Sequence, residues 1–381
     1  MRCEAEAMGE RPMRLVQFTR SFHIGGTEVQ VLELLRGLPS RYQLQVSVLE
    51  DAGPLSSKLR QLGYVPEEFP LTGSLKRPNT AWQILRMARW FRRNRTELVH
   101  VHDFYSTMLV VPAAKLAGVK VIVGRLDLAH WLDRTQYTAL VQLTRLADHV
   151  IANAEAIRRM LVDKEGLSPS RVSVIHNGLD LPRFDQRIRE GLHSPLPDTR
   201  GAPVVAHVAN MNHPVKRQED VLEALALLKR DGLTLHAFLV GDGPRRPELE
   251  RKAKELGVAD QAHFVGRRQD VPAIYSRVNL GVLCSTAEGM SNAVMEGMAA
   301  GLPMVVTAVG GNPDLIVDGE RGRVVQPERP AELAQAFRWM LEHPEQARDM
   351  AAAARGFVRR ELSLERLVER HDALYQQVAW G

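Results

Sequence analysis

The chain has 381 residues, 45% of them hydrophobic, which is too long for one ordinary core and suits two domains. Its two cysteines, Cys3 and Cys284, allow neither a disulfide framework nor a thiolate metal site, and they suit a reducing cytoplasm. The formal charge of +5 fits an anionic ligand, a nucleic acid or an anionic membrane equally well, so charge alone selects no partner.

Residues 1–12 are polar and acidic, lack the apolar centre of a secretory signal and read as a disordered extension. Residues 14–18 read as the first strand, followed by a glycine-containing loop, a helix around 28–37 and a second strand at 44–49. The helix expected at 81–95 carries Trp82, Trp90, Phe91 and five arginines. It reads either as a membrane-surface helix or as an exposed basic helix whose aromatics belong to the core. Further strands at 98–102, 120–123, 149–152 and 172–176 continue the βαβ rhythm of a parallel sheet. Ligands in such sheets bind beyond the strand carboxyl ends, which places His102 on the ligand side; His100 is expected on the opposite face. The longest apolar stretch, 108–123, is interrupted by Pro112, Lys115, Gly118 and Lys120. It falls short of the roughly 20 residues that a membrane-spanning helix needs.

Residues 13–184 therefore form one doubly wound domain. Residues 185–203 hold Pro195 and Pro197 without apolar periodicity and read as a linker. Strands at 204–208, 235–240, 262–265, 280–283 and 304–307 give a second parallel sheet within 204–361, and residues 362–381 form a C-terminal helix. Nucleic-acid binding fits poorly, because the arginines are dispersed and no aromatic stacking pattern accompanies them.

The most informative segment, EGMSNAVMEGMAAG at 288–301, follows an apolar strand and carries its own helix signals. Ser291 can cap the helix, Gly301 can end it and Pro303 prevents continuation. The first-turn amides of Asn292, Ala293 and Val294 would then offer N–H groups and the positive dipole end to a diphosphate. Glu296, one turn in, can accept from the vicinal hydroxyls of a ribose, and Glu288 from sugar hydroxyls. Glutamates at this spacing are also common on solvated helix faces, and it is the capping context that favours a site.

The run EGMSNAVMEGMAAGLPMVVTAVGGNPDLI at 288–316 resembles the E-x7-E donor motif of glycosyltransferase family 4. The resemblance extends over GGTE at 25–28, VHVHD at 99–103, IANAEAIRRML at 151–161, VIHNGLDLPRF at 174–184, LVGDGPRRPELE at 239–250 and FVGRRQDVPAIY at 264–275. It implies the α/β GT-B fold, with two Rossmann-like parallel-sheet domains facing a cleft and the C-terminal helix crossing back to the N-terminal domain. It also implies metal-independent hexose transfer, with retention, from a UDP- or GDP-linked sugar and no further cofactor. The acceptor would be a glycan, a lipid-linked sugar or a small molecule, in cell-surface polysaccharide or glycoconjugate synthesis. The enzyme would lie in the cytoplasm, either free or peripheral at the inner face of the plasma membrane.

Residue by residue, the resemblance implies that Glu288 contacts the transferred sugar as a catalytic carboxylate and Glu296 the ribose. Ser291, Asn292 and Ala293 lie at the phosphates, Lys216 neutralises the diphosphate, and the backbone at Gly266, Arg267 and Arg268 reads the base. Gly25 and Gly26 let a loop approach donor phosphate and acceptor closely. Two positions depart from the family pattern. Asn210 stands where an arginine usually pairs with the phosphate lysine, leaving Arg217 as a replacement. Arg125 or Leu126 stands where many relatives carry an active-site histidine. Asp127 and His130 in the same loop are then candidate catalytic side chains, with His102 and Arg125 on the acceptor side. A nucleotide-sugar epimerase and a binding protein without transfer activity are the other readings.

Overall fold

The computed structural model describes residues 11–71, 73, 75 and 77–380, so the extension expected at 1–12 lies almost wholly outside the described residues. Two compact units are formed. One comprises the chain up to Asn153, residues 157–176 and the stretch from Leu364 onward, and the other comprises residues 154–156 and 177–363.

The first unit holds seven strands: β1 (Met13–Thr19), β2 (Tyr42–Val48), β3 (Glu67–Glu68), β4 (Leu98–Val101), β5 (Lys120–Arg125), β6 (His149–Ala152) and β7 (Val172–Val174). Their order is β3-β2-β1-β4-β5-β6-β7, and every pairing is parallel. Helices lie on both faces of such a sheet, so the central strands are buried on both faces, one of them apolar and the other carrying Gln17 and His100. Val16, Phe18, Val99, Val101, Val121 and Val123 accordingly share one fully buried cluster. The second unit repeats the plan with β8 (Val204–Val208), β9 (His236–Val240), β10 (Ala262–Gly266), β11 (Leu280–Leu283), β12 (Met304–Thr307) and β13 (Arg323–Val325). Its order is β10-β9-β8-β11-β12-β13, again all parallel. The strands not foreseen, β3 and β13, are two- and three-residue edge strands, too short to show a periodicity.

The stretch expected to be a linker from residue 185 begins instead inside a helix, Leu181–Glu190. Asp180 caps it by accepting from Arg183 N, and Leu181, Phe184 and Ile188 pack into the core of the second unit. These apolar residues have helical spacing, but they straddle residue 185, so a boundary placed there hides the pattern. Gly191, at φ +79°, ends the helix.

The C-terminal helix, Leu364–Trp380, belongs to the first unit. Leu367, Leu374 and Tyr375 join Met13, Leu15, Leu98 and Ile122 in one core cluster. A buried polar chain fixes its register: Gln17 Nε2 donates to Tyr375 Oη at 3.0 Å, Tyr375 Oη meets His100 Nδ1 at 2.8 Å, and His102 Nε2 meets Gln17 Oε1 at 2.7 Å. His100 therefore does not face away from His102. Their rings lie 3.9 Å apart, because strand residues two apart share a face. Burial holds both imidazoles neutral, driving His102 down to about 3 and His100 well below its ordinary value.

The basic helix, Pro78–Arg93, divides its aromatics between core and surface. Phe91 is fully buried and Trp90 packs edge-on against Phe69 at 5.7 Å, whereas Trp82 and Leu85 are more than half exposed. Among the described residues, no helix is long and apolar enough to cross a membrane.

Replacing Tyr375 by Phe keeps the packing but strips Gln17 and His100 of their shared buried partner. The expected loss is about 1–3 kcal/mol of unfolding free energy in urea titrations. A midpoint identical to that of the wild type would show that the network does not anchor the helix.

Candidate functional site

In the second unit, the loops at the carboxyl ends of β8 to β12 gather the residues that the sequence singles out. The helix Asn292–Ala299 opens as expected. Ser291 is its N-cap, with Oγ accepting from Val294 N at 3.4 Å, and Gly301, at φ +75°, follows its end. The cap takes the Val294 amide, and Asn292 and Ala293 lie nearer the terminus. Asn177 steadies this end, its Nδ2 lying 2.7 Å from Asn292 Oδ1 and 3.4 Å from Met290 O.

Glu296 points inward from the same helix, near Tyr275 and Arg187. It has no hydrogen-bond partner among the described residues. Burial pushes its carboxyl up to about 7, against the opposing pull of Arg187. A half-buried carboxyl without a donor retains its full capacity to accept hydrogen bonds.

Glu288 and Lys216 meet directly. Lys216 Nζ donates to Glu288 Oε1 at 2.5 Å, and Ser285 Oγ donates to the same oxygen at 2.6 Å. Their positions follow from backbone packed on backbone. A Cβ on Gly310 would lie 1.8 Å from Glu288 O, and Gly311 N donates to Gly289 O at 2.9 Å. On the other side, a Cβ on Gly241 would lie 2.0 Å from Ala209 O, and one on Gly243 would lie 2.4 Å from Met211 C. Met211 N donates to Asp242 O, and Gly241 N to Gly266 O. The loop that ends in Lys216 is thus laced to the loops after β9 and β10.

The neighbouring cations are engaged elsewhere. Arg217, at φ +51°, turns its guanidinium to Asp220 at 2.6 Å and to Glu219 at 3.3 Å. Its guanidinium is thus shared between these carboxylates, while the side chain of Asn210 accepts from Asn212 N. Arg268 is clamped to Asp270 and Ser194, which holds Asp270 down to about 2. Arg267 is exposed beside Gly266.

The first unit has a cavity of about 150 Å³ beyond the carboxyl ends of β4 and β5. His102, Asp103, Arg125, Asp127, Phe104 and Trp131 are among its lining residues. Arg125 is not available to a ligand there. Its two Nη atoms each donate to Glu165 at 2.8 Å, with side chains 3% and 1% exposed, and Tyr137 Oη joins Glu165 at 2.9 Å. Asp127 organises its own loop, accepting from Ala129 N at 2.7 Å and from Trp131 Nε1 at 3.0 Å. His130 is exposed on that loop. Gly25 precedes the helix Gly26–Gly37, and Glu28 folds back over it, with Oε2 2.3 Å from where a Gly25 Cβ would stand.

Residues 24–183 match the profile of Glycosyltransferase Family 4, and residues 202–343 match that of Glycosyl transferases group 1. The chain belongs to glycosyltransferase family 4. It is 25% identical over 302 residues to the N-acetyl-alpha-D-glucosaminyl L-malate synthase of Bacillus anthracis, covering 77% of this chain and 78% of that one. It is 28% identical over 305 residues to a D-inositol 3-phosphate glycosyltransferase of Geodermatophilus obscurus, covering 76% and 64%. Its fold matches that of Anabaena HepE in complex with UDP, with a TM-score of 0.83 at 22% identity over 96% of this chain and all of that one. As a member of a retaining family, this glycosyltransferase transfers a sugar from a nucleotide-sugar donor.

Several residues of the two sites carry no signal of their own in the sequence: Ser285, Asn177, Glu165 and the glycines Gly241, Gly243, Gly310 and Gly311. For the glycines, their occurrence in pairs just after β9 and β12 was the available clue, since close approach of two loops excludes any side chain. Nothing near Arg125 announces Glu165, which follows a single π turn, Met160–Lys164.

Glu296 supplies a test. Its folded pKa of about 7 exceeds the 4.5 of the unfolded chain, so the native state binds the proton more tightly. The group's favourable contribution is complete below pH 4.5 and is lost as pH rises through 7. Glu296→Gln removes that loss, so the variant should be more stable than the wild type at pH 8 by about 1–3 kcal/mol, with the difference shrinking toward pH 5. Parallel Tm–pH curves for the two proteins would contradict the assignment.

Proposed function

We propose that this glycosyltransferase moves a hexose with retention from UDP-hexose to a hydroxyl acceptor, without a metal ion, in polysaccharide or glycoconjugate synthesis at the cytoplasmic side of the cell. The second unit, from about residue 204, is the donor side, and the first, over residues 13–184, is the acceptor side. The observation that carries the donor assignment is the grouping, within one unit, of a capped helix terminus, the unpartnered Glu296 carboxyl and the Lys216–Glu288 pair. The likeness to HepE, solved with UDP and with UDP-glucose, supports uridine over guanosine.

In this reading the diphosphate seats against the Asn292 and Ala293 end of the helix and draws the Lys216 ammonium from Glu288. Glu288, still held by Ser285, then turns to the sugar hydroxyls, and Glu296 accepts from the ribose. As the glycosidic bond breaks, the helix dipole and Lys216 take up the charge developing on the diphosphate. With Asn210 neutral and Arg217 held by Asp220, Lys216 carries this task without a second side-chain cation. Gly25 and Gly26 let the loop before the helix Gly26–Gly37 approach its ligand closely.

The outer face of Pro78–Arg93, where Trp82 and Leu85 stand exposed beside Arg89, Arg92 and Arg93, supports docking on an anionic membrane. Co-sedimentation should then rise with the anionic lipid content of vesicles and fall in the Trp82→Ala, Leu85→Ala variant; binding indifferent to lipid charge would reject it.

The transfer reading is tested by turnover. Lys216→Ala should lower kcat about a hundredfold at saturating UDP-hexose, with EDTA leaving wild-type activity intact. Near-normal turnover in the variant removes Lys216 from the mechanism. Formation of an epimerised nucleotide sugar in the absence of acceptor would replace transfer by epimerisation.

A further inference from the structure

We infer that the acceptor pocket of the first unit takes an uncharged sugar or polyol and turns away anionic acceptors by charge. The inference rests on the assignment of that unit to the acceptor.

The lining has two contrasting walls. Phe104 and Trp131 form an apolar one, their rings edge to face at 5.7 Å. The Trp131 indole is held in place because Nε1 donates to Asp127, yet the side chain remains 46% exposed. A pyranose ring presents C–H groups on its faces and hydroxyls around its edge, so a fixed, accessible indole is a surface on which such a ring can lie. Beside them the lining carries the carboxyls of Asp103 and Asp127, whose oxygens have lone pairs left to accept from hydroxyl donors.

Among the described residues of the lining, the carboxyls of Asp103 and Asp127 outnumber the guanidinium of Arg125. Burial raises the Asp103 carboxyl, against the pull of its hydrogen bonds from Ser106 and Arg20 N and of the Arg20 charge. Glu28 lies close enough that burial and then the Asp103 charge raise its carboxyl too. The arginine in the lining, Arg125, is neutralised by its bidentate bond to Glu165. Arg20 lies outside the lining, with its guanidinium stacked 4.6 Å from the centre of the Tyr105 ring. A phosphate or carboxylate entering this cavity would meet carboxyls with no uncommitted cation among the described residues of the lining. A hydroxyl-bearing neutral ring would meet acceptors and an aromatic platform. The chain is thereby set apart from its relatives named for malate and for inositol 3-phosphate, both of which are anions.

The test uses the full chain and reads the difference in indole fluorescence between the wild type and Trp131→Phe, which isolates Trp131 from the other tryptophans. Methyl α-D-glucopyranoside and methyl α-D-galactopyranoside are titrated against glucose 6-phosphate, glucuronate and L-malate, with UDP thermal shift run in parallel. The neutral glycosides should change the Trp131 signal, and each anion should bind at least about tenfold more weakly. Asp127→Asn, which retains an oxygen to accept from Ala129, should narrow that gap severalfold. Equal or tighter binding of an anion overturns the inference, as does a neutral-glycoside response that survives unchanged in Trp131→Phe. A chain that stabilises with UDP but prefers an anion loses only this inference, whereas one that ignores UDP loses the donor assignment itself.

Discussion

Everything at the candidate site of the second unit depends on backbone lying directly on backbone. Gly241 and Gly243 rest on residues 209–211, and Gly310 and Gly311 rest on the carbonyls of Glu288 and Gly289. At these contacts even a methyl group would overlap main-chain atoms, which cannot rotate aside. The result is a rim in which Lys216 and Glu288 are placed by the main chain and not by the choice of rotamer, and this is the kind of positioning that charge transfer to a leaving group requires.

A second regularity concerns arginine. Three guanidinium groups that the sequence offers to ligands, those of Arg125, Arg217 and Arg268, are each held by a carboxylate within the protein. The planar fork of arginine matches a carboxylate so well that a nearby Asp or Glu captures it, particularly where water is scarce. Lys216 is likewise paired, to Glu288, whereas the Glu296 carboxyl has no such partner among the described residues. In the proposed reading, function rests on these few groups while the arginine pairs hold the loops in place.

The fold and the donor helix are legible in the sequence because their signals are local. Apolar runs at regular spacing announce the strands, and Ser291, Gly301 and Pro303 bound the helix by residue type alone. Contacts between distant segments are not legible. Nothing near Arg125 or Gln17 in the chain says that Glu165 reaches the one or that Tyr375 reaches the other. The expectation that His100 turns away from His102 fails for a different reason: side chains two apart along a strand share a face, and the adjoining rings of the pair follow that rule. Asp127 illustrates what residue type leaves out, since the same carboxylate that lines the cavity also holds a turn and an indole in space.

The return of the helix Leu364–Trp380 to the first unit bears on how the chain is made. Strands β1 and β4 emerge early from the ribosome, but the hydroxyl that joins Gln17 to His100 is carried by Tyr375, more than 350 residues after Gln17. The first unit to be translated is thus the last to complete its core. Until then its apolar face, including Leu15 and Leu98, has no permanent cover. A nascent chain arrested within the second unit would present that face to chaperones, even though the whole sheet that bears it has already been made.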